Sequence, residues 1–352
     1  MLKMRELASP IISIIGALIV GAILILAIGE NPLTAYYTLF KGAIFGRENL
    51  IDTLTVSTPL ILTGLATAIA FRAKIFNMGV EGQLYLGAFA AAFIGFSFNG
   101  LPPFIHIILA ISMAALAGGL FALIPGLLKG FLNVNEIVTT LMLNYVAILF
   151  TSYLASYPFK AEGVGFSATP MIFDSAILPR LTQYGQLNLM FVVSLIIVFL
   201  VYTLFYKTKL GYEIKAIGLN REFAEASGMN LSKKIILIMV ISGMIGGIAG
   251  AGEILGVHHR FISEFSPGYG WDGLIIALLS ANNPIAVLIV AIFFGILKSG
   301  GGSIDLYMDI PRSITDVIQA TIIFFLAANL TIRHFSKIKR LFVRKQVDRG
   351  VN

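Results

Sequence analysis

The sequence predicts an all-α integral membrane protein. It has about ten transmembrane or half-membrane helices, both ends on the inner side, and a short helix within an inner loop. Three observations carry this. Of 352 residues, 57% are hydrophobic, and the mean hydropathy is +0.90. Charged residues make up 12%, about half the roughly 25% of a soluble domain. Apolar runs near the ~20 residues that a bilayer requires recur along the chain. Thirty-five Gly and 27 Phe suit packed membrane helices. The absence of Cys excludes disulfide frameworks, thiolate metal sites and a Cys nucleophile.

The runs fall in order. The first, 10–29, follows Lys3 and Arg5. It is longer than a signal-peptide core and no A-x-A site follows, so it reads as a retained span. The second, 58–71, is short, and Arg72, Lys74 and the polar stretch 77–83 interrupt before the next. Then come 84–98, 104–128, 137–155 and 189–206. The last four are 235–255, the very short 273–281, 284–297 and 314–332. The runs 58–71 and 273–281 each read as two crossings or as a re-entrant hairpin; the parity is the same. Interrupted segments of this kind mark solute paths, because irregular backbone at membrane depth needs protein or water around it. The competing reading is short tilted helices covered by neighbours.

Charge sets the orientation. With the N-terminus inside, 18 of the 25 Lys and Arg fall in inner segments. Six fall outside: Lys41, Arg47, Lys160, Arg180, Arg260 and Arg312. Lys298 ends a span. The bias places both termini inside. The basic tail 333–352 then reads as an anchor near anionic membrane lipid, not as a nucleic-acid arm.

Several activities lack their signatures. The longest outer loop, 156–188, has about 33 residues, too few for a solute-capture domain. No Gly-Lys-Ser/Thr, H-E-x-x-H or G-x-S-x-G occurs. An ATPase, a zinc protease and a lipase each miss their usual motif. His258-His259 reads as an interface pair, and no metal site is expected.

The inner loop 207–234 is structured. Asn220 is placed to cap a helix over 221–227, with Glu222 near its positive end. Gly228 stops it and Asn230 caps the next span. A helix of about two turns is unstable alone. It must dock on the protein's own helix ends or in a cleft of an inner-side partner.

Ala216, Gly218, Asn220, Ala224, Gly228 and Met229 fall in a pattern that resembles the coupling-loop motif of ABC-importer permeases. These belong to the branched-chain amino acid, ribose and simple-sugar group. The chain departs from the pattern at Phe223, where Ala is common. Three further stretches extend the match: Phe76 to Gln83 (FNMGVEGQ), Asn135 to Tyr145 (NEIVTTLMLNY) and 268–284. The second is similar to the nucleoside-type branch, which works with a basic membrane lipoprotein. The resemblance implies a multi-pass permease of a bacterial inner membrane with no cofactor of its own. A cytoplasmic ABC ATPase carries ATP and Mg, an extracytoplasmic lipoprotein captures solute, and a second permease, often a different chain, completes the path. It also implies that Gly218, Asn220, Glu222, Ala224 and Gly228 couple the chain to the ATPase.

Polar groups inside a membrane are costly and default to function. Candidates for the path or its gate are Asn77, Glu81, Gln83, Asn135, Glu136, Asn144 and Asn282. The competing role for each is a structural hydrogen bond. Glu81 and Glu136 favour structure or gating, and Asn144 is the better solute-contact candidate. Gly243/Gly247 and Gly246/Gly250 have helix-packing spacing. Tyr269 and Trp271 suit the outer aromatic belt. Two other readings remain. One is the same machine carrying a simple sugar such as ribose. The other is an ion-coupled carrier, for which Glu253 with Lys298 is the only buried-pair candidate.

Overall fold

The computed structural model describes residues 19–308 and, beyond them, 316, 317, 320, 321 and 324. The first half of the expected span 10–29, most of 314–332 and the tail 333–352 lie outside the described residues. Those described form helices and no strand, only two isolated bridges. The helices are α1, described over Ile19–Ala27, α2 Pro32–Ile44, α3 Arg47–Arg72, α4 Val80–Ser97, α5 Pro103–Leu132 and α6 Glu136–Ser156. They continue with α7 Leu189–Lys207, α8 Lys209–Leu219, α9 Arg221–Ala226, α10 Leu231–Glu253, α11 Tyr269–Leu279 and α12 Pro284–Tyr307. A π turn, Ile254–His258, prolongs α10. Among the described residues, seven helices are long and apolar enough to cross a bilayer, or eight if the bent pair α1–α2 is one span. With the half-length α11, this is the all-α, multi-span architecture that the sequence predicts; most of the expected run 314–332 lies outside the described residues.

Three boundaries differ from expectation. Helix α3 starts eleven residues before the expected 58, although Pro59 lies inside it. Polar residues mask its first half as loop. In the helix those hydroxyls bond to their own turns: Ser57 Oγ donates to the Thr53 carbonyl at 2.6 Å, Thr58 to Leu54 at 2.9 Å and Thr63 to Pro59 at 2.9 Å. Helix α12 runs past 297 through Lys298 and three glycines. A run of Gly predicts a break, but Gly300 is where the Leu39 backbone packs closely. Between residues 30 and 46, where a loop was expected, lies α2. It bends 113° from α1 and leaves Leu33, Tyr37 and Phe40 exposed.

The chain divides into two compact units, one of 1–49 with 296–352 and one of 50–295. In the first, α2 packs on the end of α12 through Gly42 against Ser303 and Leu39 against Gly300. In the second, α4 is central and touches α5, α6, α10 and α11. The expected glycine packing is present. Gly243 and Gly247 of α10 meet the Gly118 and Ala114 backbone of α5, while Gly250 meets Leu84 of α4. Without Cβ atoms, backbones approach and dispersion contacts replace the hydrophobic drive that lipid does not supply.

The loops of this larger unit sort into two ends. At one end, residues 73–75, Lys129, Glu136, Gly218, Arg221 and Ile235 surround a common cavity. At the other, the amides of Ile172, Phe173 and Leu178 donate to the carbonyls of His259, Gly95 and Leu255, each at 2.9 Å. The 33-residue outer loop is therefore fastened onto α4 and the end of α10.

Candidate functional site

The two interrupted regions meet each other. After Arg72 the chain leaves α3 and climbs beside α6. The Phe76 amide donates to Glu136 Oε1 at 3.5 Å, the Met78 amide to Thr140 Oγ1 at 3.2 Å and the Gly82 amide to Asn144 Oδ1 at 2.8 Å. Asn144 lies eight residues into α6. Asn77 Nδ2 donates at 2.8 Å to Ser242, eleven residues into α10. At 1.5 Å per residue, α4 thus begins about 12–16 Å above the inner helix ends. That is near the middle of a ~30 Å core.

From the other end, residues 259–268 descend along α4. The Phe261 ring packs 5.5 Å from Phe89, Phe265 lies 4.9 Å from Tyr85, and the Ser266 amide donates to the Tyr85 hydroxyl at 3.4 Å. Helix α11 then starts where α4 starts: the Gly270 amide donates to Glu81 Oε2. Two helix N-termini abut here, and a buried carboxylate sits between their positive ends. Helix α11, about 16 Å long, completes the crossing to the turn at 280–283. The 273–281 region is therefore an extended descent plus a half-helix, not a hairpin. This corrects the placement of Tyr269 and Trp271. They open a helix at mid-depth, with Tyr269 buried, and are not on the outer belt.

The amides around this junction are used internally. Asn77 and Gln83 bond reciprocally at 3.1 and 3.2 Å, and Asn77 Oδ1 also accepts from the Gly79 amide at 3.0 Å. Ser242 Oγ passes the chain of bonds to the Ala66 carbonyl at 2.6 Å. Asn144 spends its acceptor on Gly82 and its donor on the Met78 carbonyl at 2.6 Å. Asn135 is exposed and caps α6 through the Ile137 amide at 2.9 Å. Glu136 pairs with Lys129 at 2.9 Å. Glu253 is buried and faces His258 at 3.7 Å, one turn along the same helix.

The inner elbow forms as the sequence predicts. Thr208 caps α8. Asn220 Oδ1 accepts from the Phe223 amide at 2.9 Å, capping α9, and Asn230 caps α10 through Lys233 at 3.0 Å. Gly228 takes φ +82°, and the Met229 amide closes onto the Ala224 carbonyl at 3.2 Å. A left-handed residue there is the ordinary glycine stop. Lys234 ties α10 to Glu213 of α8 at 2.6 Å. Gly218 packs on the Arg72 carbonyl. Ala224 is fully buried, so it anchors the elbow and is not an outward contact. The outward face is Leu219, Glu222 and Phe223, the last 63% exposed.

Arg72 joins the two features; the sequence reading counted it as an inner charge and as part of the interruption after 58–71. Its guanidinium lies 4.3 Å from the Phe205 ring and 4.9 Å from Tyr206 at the end of α7. Its Nη1 donates to the Asn282 carbonyl at 3.3 Å. Asn282, at φ +58°, shapes the α11–α12 turn. No sequence motif announces Arg72, Ser242 or Gly270 as partners, because each meets its counterpart from a distant helix.

A family model described as "Branched-chain amino acid transport system / permease component" matches residues 49–327. The chain is 36% identical to the guanosine ABC transporter permease protein NupP of Bacillus subtilis (strain 168), covering 96% of this chain and 98% of that one. It is 32% identical to the nucleoside ABC transporter permease protein NupB of Lactococcus lactis subsp. cremoris (strain MG1363), covering 94% and 93%. It is also 32% identical to the glucose ABC transporter permease protein TsgB13 of Haloferax volcanii, covering 90% and 86%.

Proposed function

The chain belongs to the branched-chain amino acid transport permease family, and we propose that it is the nucleoside-conducting permease of an ATP-driven importer in a bacterial inner membrane. It is a multi-pass membrane protein. The observation that carries the reading is the elbow. The six-residue helix α9 is capped at both ends, and α8 before it is fastened to α3 through Gly218 and to α10 through Glu213, yet the elbow they form turns Leu219, Glu222 and Phe223 outward. A helix that short gains little stability alone. Its fastening suits a part that is pushed.

In this reading a cytoplasmic ATPase, holding its own ATP and Mg, docks on that face, and this chain hydrolyses nothing. Closure of the ATPase displaces the elbow. Gly218 and Arg72 pass the shift to the end of α3 and to the turn at Asn282, so α11 moves against α4. The contact between Glu81 and Gly270 is the gate between two states. Asn77, Gln83, Asn135, Glu136 and Asn144 are its frame, since their polar atoms hold backbone in place. An extracytoplasmic lipoprotein delivers the solute, and a second, different permease completes the path.

The guanosine and nucleoside transporter relatives favour a nucleoside. The glucose relative favours a simple sugar as second reading. The test is proteoliposomes holding this chain with its ATPase, second permease and lipoprotein, offered labelled guanosine, ribose and glucose. ATP-dependent accumulation of guanosine is expected. Accumulation of a sugar alone selects the second reading, and uphill uptake by this chain without any ATPase ends both.

A further inference from the structure

At the inner end of the larger unit lies a cavity of about 270 Å³. Its wall is built from the residues that follow α3, the ends of α5 and α8, and the first turns of α6, α9 and α10. Three cations line it: Lys74, Lys129 and Arg221. One acid does, Glu136, already paired with Lys129 at 2.9 Å. The lining therefore carries a net charge of +2, and among the described residues no hydrogen bond or ion pair reaches the Lys74 ammonium or the Arg221 guanidinium. Ile75, Ile217, Leu219 and Ile235 complete the wall. Of these, Ile75, Ile217 and Ile235 are buried and lower the dielectric beside any charge placed inside, while Leu219 lies exposed at the rim.

Lys74 supplies an independent observation. It has φ +54°, and it ends α3 with the double closure of a Schellman stop. Its amide donates to the Phe71 carbonyl at 2.9 Å, and the Ile75 amide to Ala70 at 3.1 Å. That position is ordinarily glycine, because a Cβ is strained there. The chain accepts strain to put a long cation on the wall of a cavity already rich in positive charge. Strain held against an easy glycine alternative is typical of ligand clamps.

We infer that this cavity is a binding site for a phosphate-bearing anion, either free phosphate from the cytoplasm or the headgroup of an anionic lipid. Both sources present the same chemistry, a compact anion with several acceptor oxygens, for which Lys74, Arg221 and Lys129 are the donors. The inference requires nothing about the transported solute, and its readout is binding.

The experiment uses the full-length chain in phosphatidylcholine nanodiscs. One arm adds inorganic phosphate against chloride at matched ionic strength. The other replaces part of the phosphatidylcholine by phosphatidylglycerol. Thermal unfolding reports binding, because a ligand of the folded state raises the midpoint. The variants are Lys74→Gly and Arg221→Gln. Lys74→Gly separates charge from folding: it relieves the strained φ, so the ligand-free midpoint rises. The expected result is a midpoint raised by phosphate or by the anionic lipid, with whichever arm responds naming the source. Each variant is expected to weaken that response by about tenfold in apparent affinity, the effect of losing one charge-assisted contact. A response unchanged in Lys74→Gly, or no response in either arm, overturns the inference.

Discussion

Asn77 and Gln83 hold each other by two reciprocal amide hydrogen bonds, 3.1 and 3.2 Å long, across the start of α4. The pair closes a seven-residue arc of backbone that has no helical bonds of its own until Gly79 accepts from Gln83. Both amides are buried, so breaking one leaves the other unpaired in an apolar setting. Asn77→Ala and Gln83→Ala are each expected to cost about 2–3 kcal/mol, the desolvation of the stranded partner. The double variant should cost about 1 kcal/mol or more less than the sum of the two. Thermal unfolding of the purified protein measures this, and strict additivity would remove the pair from the argument.

Asn144 gives a second, independent strut. Asn144→Leu keeps the branched shape but strands the Gly82 amide and the Met78 carbonyl and adds the bulk of two methyls, at an expected cost of about 2–4 kcal/mol. Its folded yield and uptake should fall together. A variant that folds normally yet loses only solute affinity would return Asn144 to the role of solute contact.

Gly247 and Gly302 form a matched comparison. A Cβ at Gly247 would meet the Ala114 backbone, whereas nothing lies near one at Gly302. Gly247→Ala should cost about 1–3 kcal/mol through overpacking. Gly302→Ala should be neutral or stabilise by up to about 1 kcal/mol, because it removes helical glycine. Unfolding midpoints of the two variants should move in opposite directions or differ plainly in size.

Phe223 and Ala224 are neighbours with opposite surroundings. Phe223→Asp changes an exposed ring and should leave the unfolding midpoint within about 0.5 kcal/mol of the parent, as surface changes do. It should nevertheless abolish ATP-dependent uptake. Ala224→Arg forces a charge into a fully buried site and should disturb the elbow itself. Co-purification of the ATPase with each variant separates lost docking from lost folding. Normal uptake in Phe223→Asp would contradict the docking face.

Arg72 is the link most open to a conservative change. Arg72→Lys keeps the charge but loses the planar stack on Phe205 and Tyr206 and the fork that reaches the Asn282 carbonyl. Uptake should fall about tenfold, equivalent to ~1.4 kcal/mol. ATPase binding and membrane insertion should stay intact, and full uptake in Arg72→Lys would break the proposed transmission.

Local chemistry was legible in the chain itself. Runs of apolar residues, the bias of Lys and Arg, and the caps Asn220, Gly228 and Asn230 act within a few residues of where they are written. Helix content and the capped elbow therefore followed from sequence. Interrupted segments at 72–83 and 273–284 were visible for the same reason: polar and Gly-rich stretches cannot continue a span unaided. Where they went was not visible. That Glu81 meets Gly270, that Asn77 reaches Ser242, and that Arg72 grips a turn 210 positions away depend on helices brought together by packing. Pairing between groups far apart in sequence leaves no periodicity or spacing to read. The early start of α3 and the extension of α12 have the same origin. Hydroxyls bonded to their own turns, and glycines filled by a neighbouring backbone, look like loop until that neighbour is in place.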